Sequence, residues 1–328
     1  MDEFDFINKL KPKQLFQKHV KVGIGDDAAV YEPSVNMNQV VCVDTMVEGV
    51  HFLKSLSTPT EIGYKALAVN LSDLAAMGAI PRYYLVSISI PSSWREEELL
   101  GIFKGMEELA EAYQMDLLGG DTVSTHDKLV ITVTVIGEAE SHVQTLRKQA
   151  RDGDIVFVTG TIGDSAAGLA VLLNQLTLEN EMFEKYLIHR HKRPTPQIRA
   201  GRLISTLHRA SLNDISDGLA SELHEIAEAS QVGIMINEVD LPISEELLFV
   251  KKTTDINNWV LFGGEDFELV GTTSQESWDE LKRACNLEGI KMTKIGVVSA
   301  KHSDVLLKKE NDYIMKLEKS GYNHFKNK

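Results

Sequence analysis

The chain has 328 residues, 43% of them hydrophobic and 25% charged, which supports a sizeable core and leaves room for two domains. Its formal net charge of −14 argues against nucleic acid as a partner, because binding a phosphate backbone requires a basic face. Cys42 and Cys285 are the only cysteines, so the sequence contains neither a disulfide framework nor a cysteine-based zinc motif.

The N-terminal sequence MDEFDFINKL is acidic and lacks the basic start and apolar run of a secretion signal. No apolar run reaches the ~18 residues that a membrane span needs. We therefore expect a soluble, reduced, cytoplasmic protein without a membrane partner. The excess of acidic residues is also compatible with carboxylates that bound cations partly neutralise.

Short apolar runs alternate with helical patterns in the first half, which indicates an α/β fold. Strands are predicted over residues 39–45, 83–90 and 129–137. The clearest helix lies between the first two strands: Thr58 is its N-cap, Pro59 is its first residue, and Glu61 completes a capping box.

Leucines at helical spacing give this helix one apolar face, formed by Leu67, Leu71 and Leu74. Gly78 and Pro81 end the helix. A second helix is predicted over residues 94–113 and starts at a similar box from Ser93 to Glu96.

A polar segment without strong periodicity, residues 138–153, marks the predicted junction between domains 1–140 and 150–328. The second domain is also expected to be α/β. HRHKRPTP, residues 189–196, precedes a predicted helix and is interpreted as a solvated turn rather than a phosphate site. The other predicted elements are the strands DIVFVTG, VGIMINE and FELVGTT, a helix opening at TIGDSAAGLAVLL, and helices near 195–207 and 218–230.

Aspartates recur where apolar segments give way to polar ones. Adjacent carboxylates repel one another, so a pair in a glycine-rich turn near apolar residues suggests a compensating cation. Ligands bind beyond the strand ends of open α/β sheets, and oxygen-only donors suit Mg²⁺, which in turn binds phosphates. The positions are Asp26 and Asp27 in GIGDDAAV, Asp44 after QVVCV, Asp121 after MDLLGG, and Asp214 and Asp217 in LNDISDG.

Some of these positions have a second interpretation. Asp73 lies three residues after Asn70 on the polar face of the first helix, where it is either solvated or a ligand. Asp217 is either a ligand or an ordinary helix cap. Gly119 and Gly120 beside Asp121 would allow the backbone to approach a phosphate closely.

No P-loop or protein-kinase motif occurs, and GGEDF at 263–267 differs from the GGDEF loop in acid order and surroundings. Seven segments in the expected order instead resemble the thiamine-monophosphate kinase family, and the resemblance runs from about Phe4 to SGYNHF. They are GIGDDAAV, VDTMVEGVHF, YKALAVNLSDLAAMGAIP, LLGGDTV, VTGTIGDSAAGLA, DISDGLASEL and GGEDFEL.

The resemblance implies an aminoimidazole ribonucleotide synthetase-like fold of two domains. It also implies a homodimer in which the N-terminal domains pair their sheets into a barrel. The implied reaction transfers the γ-phosphoryl group of ATP to thiamine monophosphate, with several Mg²⁺ ions and no general base, because the acceptor phosphate oxygen is already deprotonated.

Site residues are also implied by the resemblance. Cys42 and Val43 stand where relatives often carry a hydroxyl residue before the aspartate, so Val43 would use its backbone oxygen. The implied Mg²⁺ ligands are Asp27, Val43, Asp44, Asp73, Asp121, Asp214 and Asp217. The implied ATP contacts are Phe103, Gly120, Asp121, Arg147 and Ser216. The implied substrate contacts are His51, Glu265 and Tyr322.

Several alternatives stay open at this point. Phe103 fits core packing as well as a nucleotide contact, Tyr322 fits tail packing, and Phe325 lies close enough to replace it. Selenophosphate synthetase would need a reactive Cys with a Lys near a glycine-rich start, which this chain lacks. Aminoimidazole ribonucleotide synthetase would differ in the VHF and GGEDFEL motifs. A non-catalytic sensor of nucleotide or divalent ions is the alternative from another class.

Overall fold

The computed structural model describes residues 3–12, 14–141 and 145–322, and the chain divides into two compact units. Unit 1 comprises Met1–Leu74 and Ala79–His142, and unit 2 comprises Ala75–Gly78 and Val143–Lys328. Within the described ranges, no helix combines the length and apolar character needed to cross a membrane.

Unit 1 is built on a four-stranded sheet of order β3-β6-β4-β5, beside a two-stranded pair β1-β2. Strands β4 and β5 are parallel, and the other pairs are antiparallel. The elements are α1 Glu3–Leu10, β1 Val20–Val22, β2 Val30–Tyr31, β3 Met37–Val47, α2 Pro59–Ala76, β4 Ile80–Pro91, α3 Glu96–Tyr113, β5 Asp116–Thr125 and β6 Val130–Glu140.

Helix α2 begins as predicted. The Thr58 backbone N–H donates to Glu61 Oε2 at 2.8 Å, and the Glu61 N–H donates to Thr58 Oγ1 at 3.3 Å, which confirms the reciprocal capping box. The predicted leucine face is fully buried: Leu67, Leu71 and Leu74. Gly78 has a φ of +62°, the left-handed conformation in which glycine ends a helix.

Helix α3 begins two residues later than predicted. Its N-cap is Arg95, whose N–H donates to Glu98 Oε2 at 2.9 Å. The predicted box from Ser93 to Glu96 was wrong because residues 91–94 form a turn, closed by the Trp94 N–H donating to the Pro91 carbonyl at 3.1 Å.

Helices α2 and α3 approach closely through glycines. A Cβ on Gly63 would stand 1.8 Å from the Ile102 carbonyl oxygen, and one on Gly105 would stand 2.0 Å from the Thr60 oxygen. Both distances are shorter than contacts between real atoms, so neither position can carry a side chain without separating the helices. The helix pair therefore depends on glycine at both positions.

We expect Gly105→Ala to destabilise the protein by about 2 kcal/mol or more, although alanine is the better helix former by roughly 1 kcal/mol. Chemical denaturation followed by circular dichroism measures the change. Gly119→Ala is the matched control, because a Cβ there meets nothing within 4 Å. Equal stability of the Gly105→Ala protein and wild type would contradict the close-packing argument.

Unit 2 is built on a seven-stranded sheet of order β13-β12-β9-β11-β7-β10-β8. Only the β9–β12 pair is parallel among the strands described. The elements are β7 Ile155–Thr159, α4 Asp164–Leu172, α5 Glu181–Lys192, α6 Ile198–Ser205, β8 Ala210–Asp214, α7 Leu219–Ser230, β9 Gly233–Asn237, α8 Glu245–Lys251, α9 Asn257–Phe262, β10 Leu269–Thr273, α10 Gln275–Leu287, β11 Met292–Ser299, β12 Val305–Lys308 and β13 Ile314–Lys316, with 3-10 turns at Arg147–Gln149 and Glu238–Asp240.

The strands predicted in DIVFVTG, VGIMINE and FELVGTT are confirmed as β7, β9 and β10. The solvated turn predicted at 189–196 was wrong. Residues 189–192 form the last turn of α5, His191 is buried, and the side chain of Arg190 is only 13% exposed. The reason is non-local: buried carboxylates from distant segments surround the Arg190 guanidinium.

Candidate functional site

The sequence suggested that two of the implied metal ligands of unit 1 lie at strand ends, but in the structure both lie inside strands. Asp44 is in the middle of β3, opposite Val133 of β6, and Asp121 is in the middle of β5, opposite Ser87 of β4. The sequence analysis placed Asp121 after the apolar segment MDLLGG, whereas strand β5 continues through Gly119 and Gly120 and past Asp121 to Thr125.

Asp44 belongs to the sheet face that packs against α2. Cys42, two residues earlier and therefore on the same face, places its Sγ 3.4 Å from the Asn70 carbonyl oxygen of α2. Asp73, one turn after Asn70, is half-buried. The structure thus places Asp44 and Asp73 on two packed elements of the same unit.

Asp121 belongs to the opposite face of that sheet. It is in register with Ser87, which pairs with Thr132, which pairs in turn with Thr45. The hydroxyls of Thr45 and Thr132 lie 2.8 Å apart on this face. Because β3 and β5 are the outer strands of the order β3-β6-β4-β5, Asp44 and Asp121 are three strand spacings apart, about 14 Å.

The turn at Asp26–Asp27 is exposed in unit 1. The Asp27 N–H donates to the Asp26 side chain at 2.9 Å, so Asp26 stabilises the turn while the Asp27 carboxylate is left at the surface. Gly25 has a φ of +131°, a conformation that favours glycine. This division of roles agrees with the interpretation of Asp27, and not Asp26, as the ligand.

His51 and Phe103 differ in what they can contact. The Val47 N–H donates to His51 Nδ1 at 3.0 Å, so the neutral ring carries its proton on Nε2 and can donate from there. Phe103 is buried, with its ring 5.8 Å from that of Phe6 in an edge-on contact. Phe103 packs in the core of unit 1, and its contact with a nucleotide stays a prediction.

In unit 2, the end of β8 and the turn after it carry two implied metal ligands, Asp214 and Asp217, and one implied ATP contact, Ser216. Asp214 is the last residue of the strand and is buried, whereas Ser216 and Asp217 are half-buried. Helix α7 takes Gly218 as its N-cap, with no side-chain cap bond. The capping role considered for Asp217 is therefore not realised in this structure.

Glu222, which sequence reasoning missed, holds this turn from the first turn of α7. Its carboxyl accepts the Asp217 N–H at 3.3 Å and the side-chain amide of Asn213. Burial, together with the charge of Asp214, raises its pKa to about 8. Asn213 in turn accepts from Arg147 Nε at 3.0 Å, which connects an implied ATP contact to the same network.

The segment before β10 packs against that turn. The Glu265 N–H donates to the Ser216 carbonyl at 2.8 Å, and the Phe267 N–H donates to the Ile215 carbonyl at 2.9 Å. Glu265 and Phe267 have φ of +68° and +52°, left-handed values that typically cost non-glycine residues about 1–2 kcal/mol each. The structure therefore brings Glu265 beside Ser216 and Asp217, in a strained backbone.

Asp266 anchors this segment to the N-terminus of α4. Its carboxylate accepts the Gly163 N–H at 2.6 Å and the Ser165 N–H at 3.1 Å, in a fully buried position. Burial raises the pKa of Asp266 to about 7, and the nearby charge of Asp164 adds to that effect. The folded state therefore retains a proton on Asp266 at pH values where the unfolded chain has lost it.

Protein stability should fall as pH rises from 5 to 8 because the folded pKa of Asp266 lies above its unfolded value. Asp266→Asn should reduce that fall in unfolding free energy by about 2 kcal/mol, measured by urea denaturation of the metal-free protein. Asp152→Asn is the control, since Asp152 is exposed and also accepts a backbone N–H. Identical pH profiles for wild type and Asp266→Asn would contradict the assignment.

The C-terminal segment also reaches this turn. A Cβ on Gly321 would stand 2.3 Å from the Asp217 carbonyl oxygen, so the chain just before Tyr322 lies against the predicted ligand. Tyr322 is 48% exposed. Phe325, its alternative, lies outside the described residues.

The implied donors in both units are carboxylate and carbonyl oxygens, which fit Mg²⁺ by their chemistry. In unit 2 burial, together with the charges of Asp214 and Asp217, raises the pKa of Glu222, and a bound cation would relieve the part that comes from those charges. Among residues 3–12, 14–141 and 145–322, however, no group of three or more His, Cys, Asp or Glu is arranged as a metal site.

Comparisons with known proteins identify the family. The family model described as AIR synthase related protein, N-terminal domain, matches residues 25–139, and the family model of the corresponding C-terminal domain matches residues 151–309. A thiamine-monophosphate kinase of Bacillus subtilis (strain 168) is 55% identical over 327 residues, covering 99% of this chain and 100% of that protein. The chain belongs to the thiamine-monophosphate kinase family.

Solved structures of this family have the same fold. Thiamine-monophosphate kinase from Stenotrophomonas maltophilia K279a matches with a TM-score of 0.82 at 31% identity, covering 94% of this chain and 95% of that chain. AaThiL complexed with AMPPCP and TMP matches with a TM-score of 0.78 at 36% identity, covering 98% and 97%. The expected two-domain AIR synthase-like architecture of mixed α and β elements is therefore confirmed.

Proposed function

We propose that this protein transfers the γ-phosphoryl group of ATP to the phosphate of thiamine monophosphate, producing thiamine diphosphate and ADP in thiamine diphosphate biosynthesis. The observation that carries the proposal is full-length identity of 55% to a thiamine-monophosphate kinase. A family member at 36% identity was solved with an ATP analogue and TMP, which agrees with these two substrates.

The site chemistry suits a phosphate acceptor. A phosphate oxygen is already anionic at neutral pH, so the enzyme needs no general base and must instead align two polyanions and screen their charge. Several Mg²⁺ ions would supply that screening and stabilise charge on the transferring group. The residues proposed to hold them are Asp27, Val43 through its backbone oxygen, Asp44, Asp73, Asp121, Asp214 and Asp217.

The remaining roles are those that the family resemblance implies, and the contacts of three residues support them. With Nδ1 of His51 accepting a backbone N–H, a proton on Nε2 would suit an acceptor phosphate, and the Glu265 carboxylate suits the cationic and amino groups of the thiamine rings. Arg147 is half-exposed and oriented by Asn213, which suits an ATP phosphate. We also assign Gly120, Ser216 and Phe103 to the nucleotide and Tyr322 to the thiamine rings.

Purified protein with Mg²⁺, ATP and thiamine monophosphate should release ADP and form thiamine diphosphate, measured by chromatography. Asp44→Asn and Asp121→Asn should each lower kcat at least 100-fold, about 2.7 kcal/mol, because each removes a charge that would bind metal. Chelation of the metal should abolish turnover of the wild type.

Asp127→Asn is the matched control, because this aspartate is exposed in unit 1 and belongs to no proposed ligand set. Thermal unfolding verifies that each variant folds. Near-normal turnover by both Asp44→Asn and Asp121→Asn at saturating Mg²⁺ would reject the metal assignment. ATP binding without any thiamine diphosphate would favour the sensor alternative.

We further propose that the protein is a cytoplasmic homodimer in which two four-stranded sheets form a barrel. The sheet face of unit 1 opposite α2 exposes apolar side chains on both outer strands, with Val41 60% and Val43 58% exposed on β3 and Val123 44% exposed on β5, beside the polar residues Thr45, Thr132 and Asp121. Exposed apolar side chains on a sheet face favour a contact surface, and the outer edges of β3 and β5 pair with no other strand among those described. The free thiols of Cys42 and Cys285 agree with a reducing compartment.

Sedimentation analysis should give a dimer for wild type and a monomer for Val41→Glu, because a charge on the apolar face opposes its burial between copies. Val35→Glu is the control: Val35 is 87% exposed and lies outside the sheet. A folded Val41→Glu protein that stays dimeric would place the dimer contact elsewhere.

A further inference from the structure

The C-terminal turn of α5 holds the segment that carries Glu265. Arg190 Nη2 donates to Glu268 Oε1 at 2.8 Å, and Thr159 Oγ1 donates to Glu268 Oε2 at 2.7 Å. The residue after Arg190, His191, faces the same segment. The two neighbouring basic residues thus contact both ends of the strained stretch from Glu265 to Glu268.

His191 lies between an interior hydroxyl and the Glu265 carboxylate. Its Nδ1 is 3.1 Å from Ser165 Oγ in α4 and 3.4 Å from Glu265 Oε2. The His191 side chain is 10% exposed, whereas that of Glu265 is 30% exposed. One carboxylate oxygen is therefore held from the interior, while the residue is still partly accessible.

We propose that His191 is a positioning residue that fixes the Glu265 carboxylate for recognition of the cationic thiamine moiety. This inference rests on the substrate role proposed above for Glu265. A carboxylate oxygen can only accept a hydrogen bond, so the contact requires the proton on Nδ1 of His191, and Ser165 Oγ is then a second acceptor of the same N–H. With that proton, His191 restricts the rotamer of Glu265, and the substrate no longer has to order this side chain on binding.

The contact with His191 restrains the side chain of Glu265, which its backbone does not set. The backbone bond to Ser216 fixes where the Cα of Glu265 lies, but it leaves the side-chain torsions free. A histidine contact at the carboxylate end fixes those torsions as well. A purely structural role for His191 would require only its packing and its hydrogen bond with Ser165, without the contact to Glu265.

Two substitutions distinguish a role of His191 in positioning Glu265 from a role in which its ring only fills space. His191→Asn keeps an N–H donor close to the position of Nδ1, and His191→Leu keeps comparable volume without a donor. His302→Leu is the matched control, because His302 is another partly buried histidine of unit 2 whose Nδ1 contacts a backbone oxygen, that of Asp304. Thermal unfolding of all three reports any loss of folding.

His191→Leu should raise the KM for thiamine monophosphate about 10-fold and leave the KM for ATP within twofold. His191→Asn should stay within threefold of wild type, and His302→Leu should match wild type for both substrates. Calorimetric titration of thiamine monophosphate into protein with Mg²⁺ and AMPPCP should give the same order of dissociation constants. In a Glu265→Ala background, His191→Leu should have no further effect on either measurement.

The inference is overturned if His191→Leu binds thiamine monophosphate as wild type does. It is also overturned if Asn and Leu weaken binding equally, if both substrates lose affinity together with stability, or if the effect persists without Glu265. A Glu265→Ala protein with normal affinity for thiamine monophosphate overturns it as well. Wild-type formation of thiamine diphosphate in the same preparation separates each of these results from failure of the proposed function.

Discussion

Residues 215–216, which follow β8, pair with residues 265–268, which precede β10, and this pairing determines the geometry of the site in unit 2. Asp214 and Leu269 are the last paired residues of these antiparallel strands. Beyond them, the Ile215 N–H donates to the Glu268 carbonyl at 2.7 Å, and further backbone bonds join Phe267 to Ile215 and Glu265 to Ser216. Residues about fifty positions apart in sequence thereby become neighbours, and their charges interact.

That proximity has an electrostatic consequence. Asp214, Asp217 and Glu222 are close to one another in partly desolvated positions, and the pKa of Glu222 is raised as a result. Arg147 provides positive charge near this turn, and it also contacts Glu225 at the surface at 3.5 Å. An acidic site in a chain of net charge −14 suits the proposed reaction, in which metal ions would screen the charge of two polyanionic substrates.

Local patterns predicted about half of the described elements, among them helices α2, α3 and α7 and strands β3, β4 and β7, because capping boxes and apolar periodicity are properties of neighbouring residues, as at Thr58 and Glu61. Other elements, such as α5 and β5, were not predicted. The motifs also identified Glu265 and Ser216, which the fold brings into contact. Burial of Arg190 and His191 could not be predicted, since their carboxylate partners come from segments about eighty residues away. A basic tetrapeptide is ordinarily solvated, and only the tertiary fold supplies the buried acids that reverse this expectation.

The glycines of GGEDF illustrate the same limit at single-residue scale. Sequence reasoning assigns unusual backbone conformations to glycine, yet the positive φ values in this motif belong to Glu265 and Phe267, not to Gly263 or Gly264. Gly264 is needed for close approach, because a Cβ there would stand 2.5 Å from the Ser216 carbonyl oxygen. Strain held at a charged residue persists only when its surroundings over-determine it. Here the backbone bond to Ser216 and the contact with His191 restrain Glu265, one of the two strained residues, whose side chain is 30% exposed.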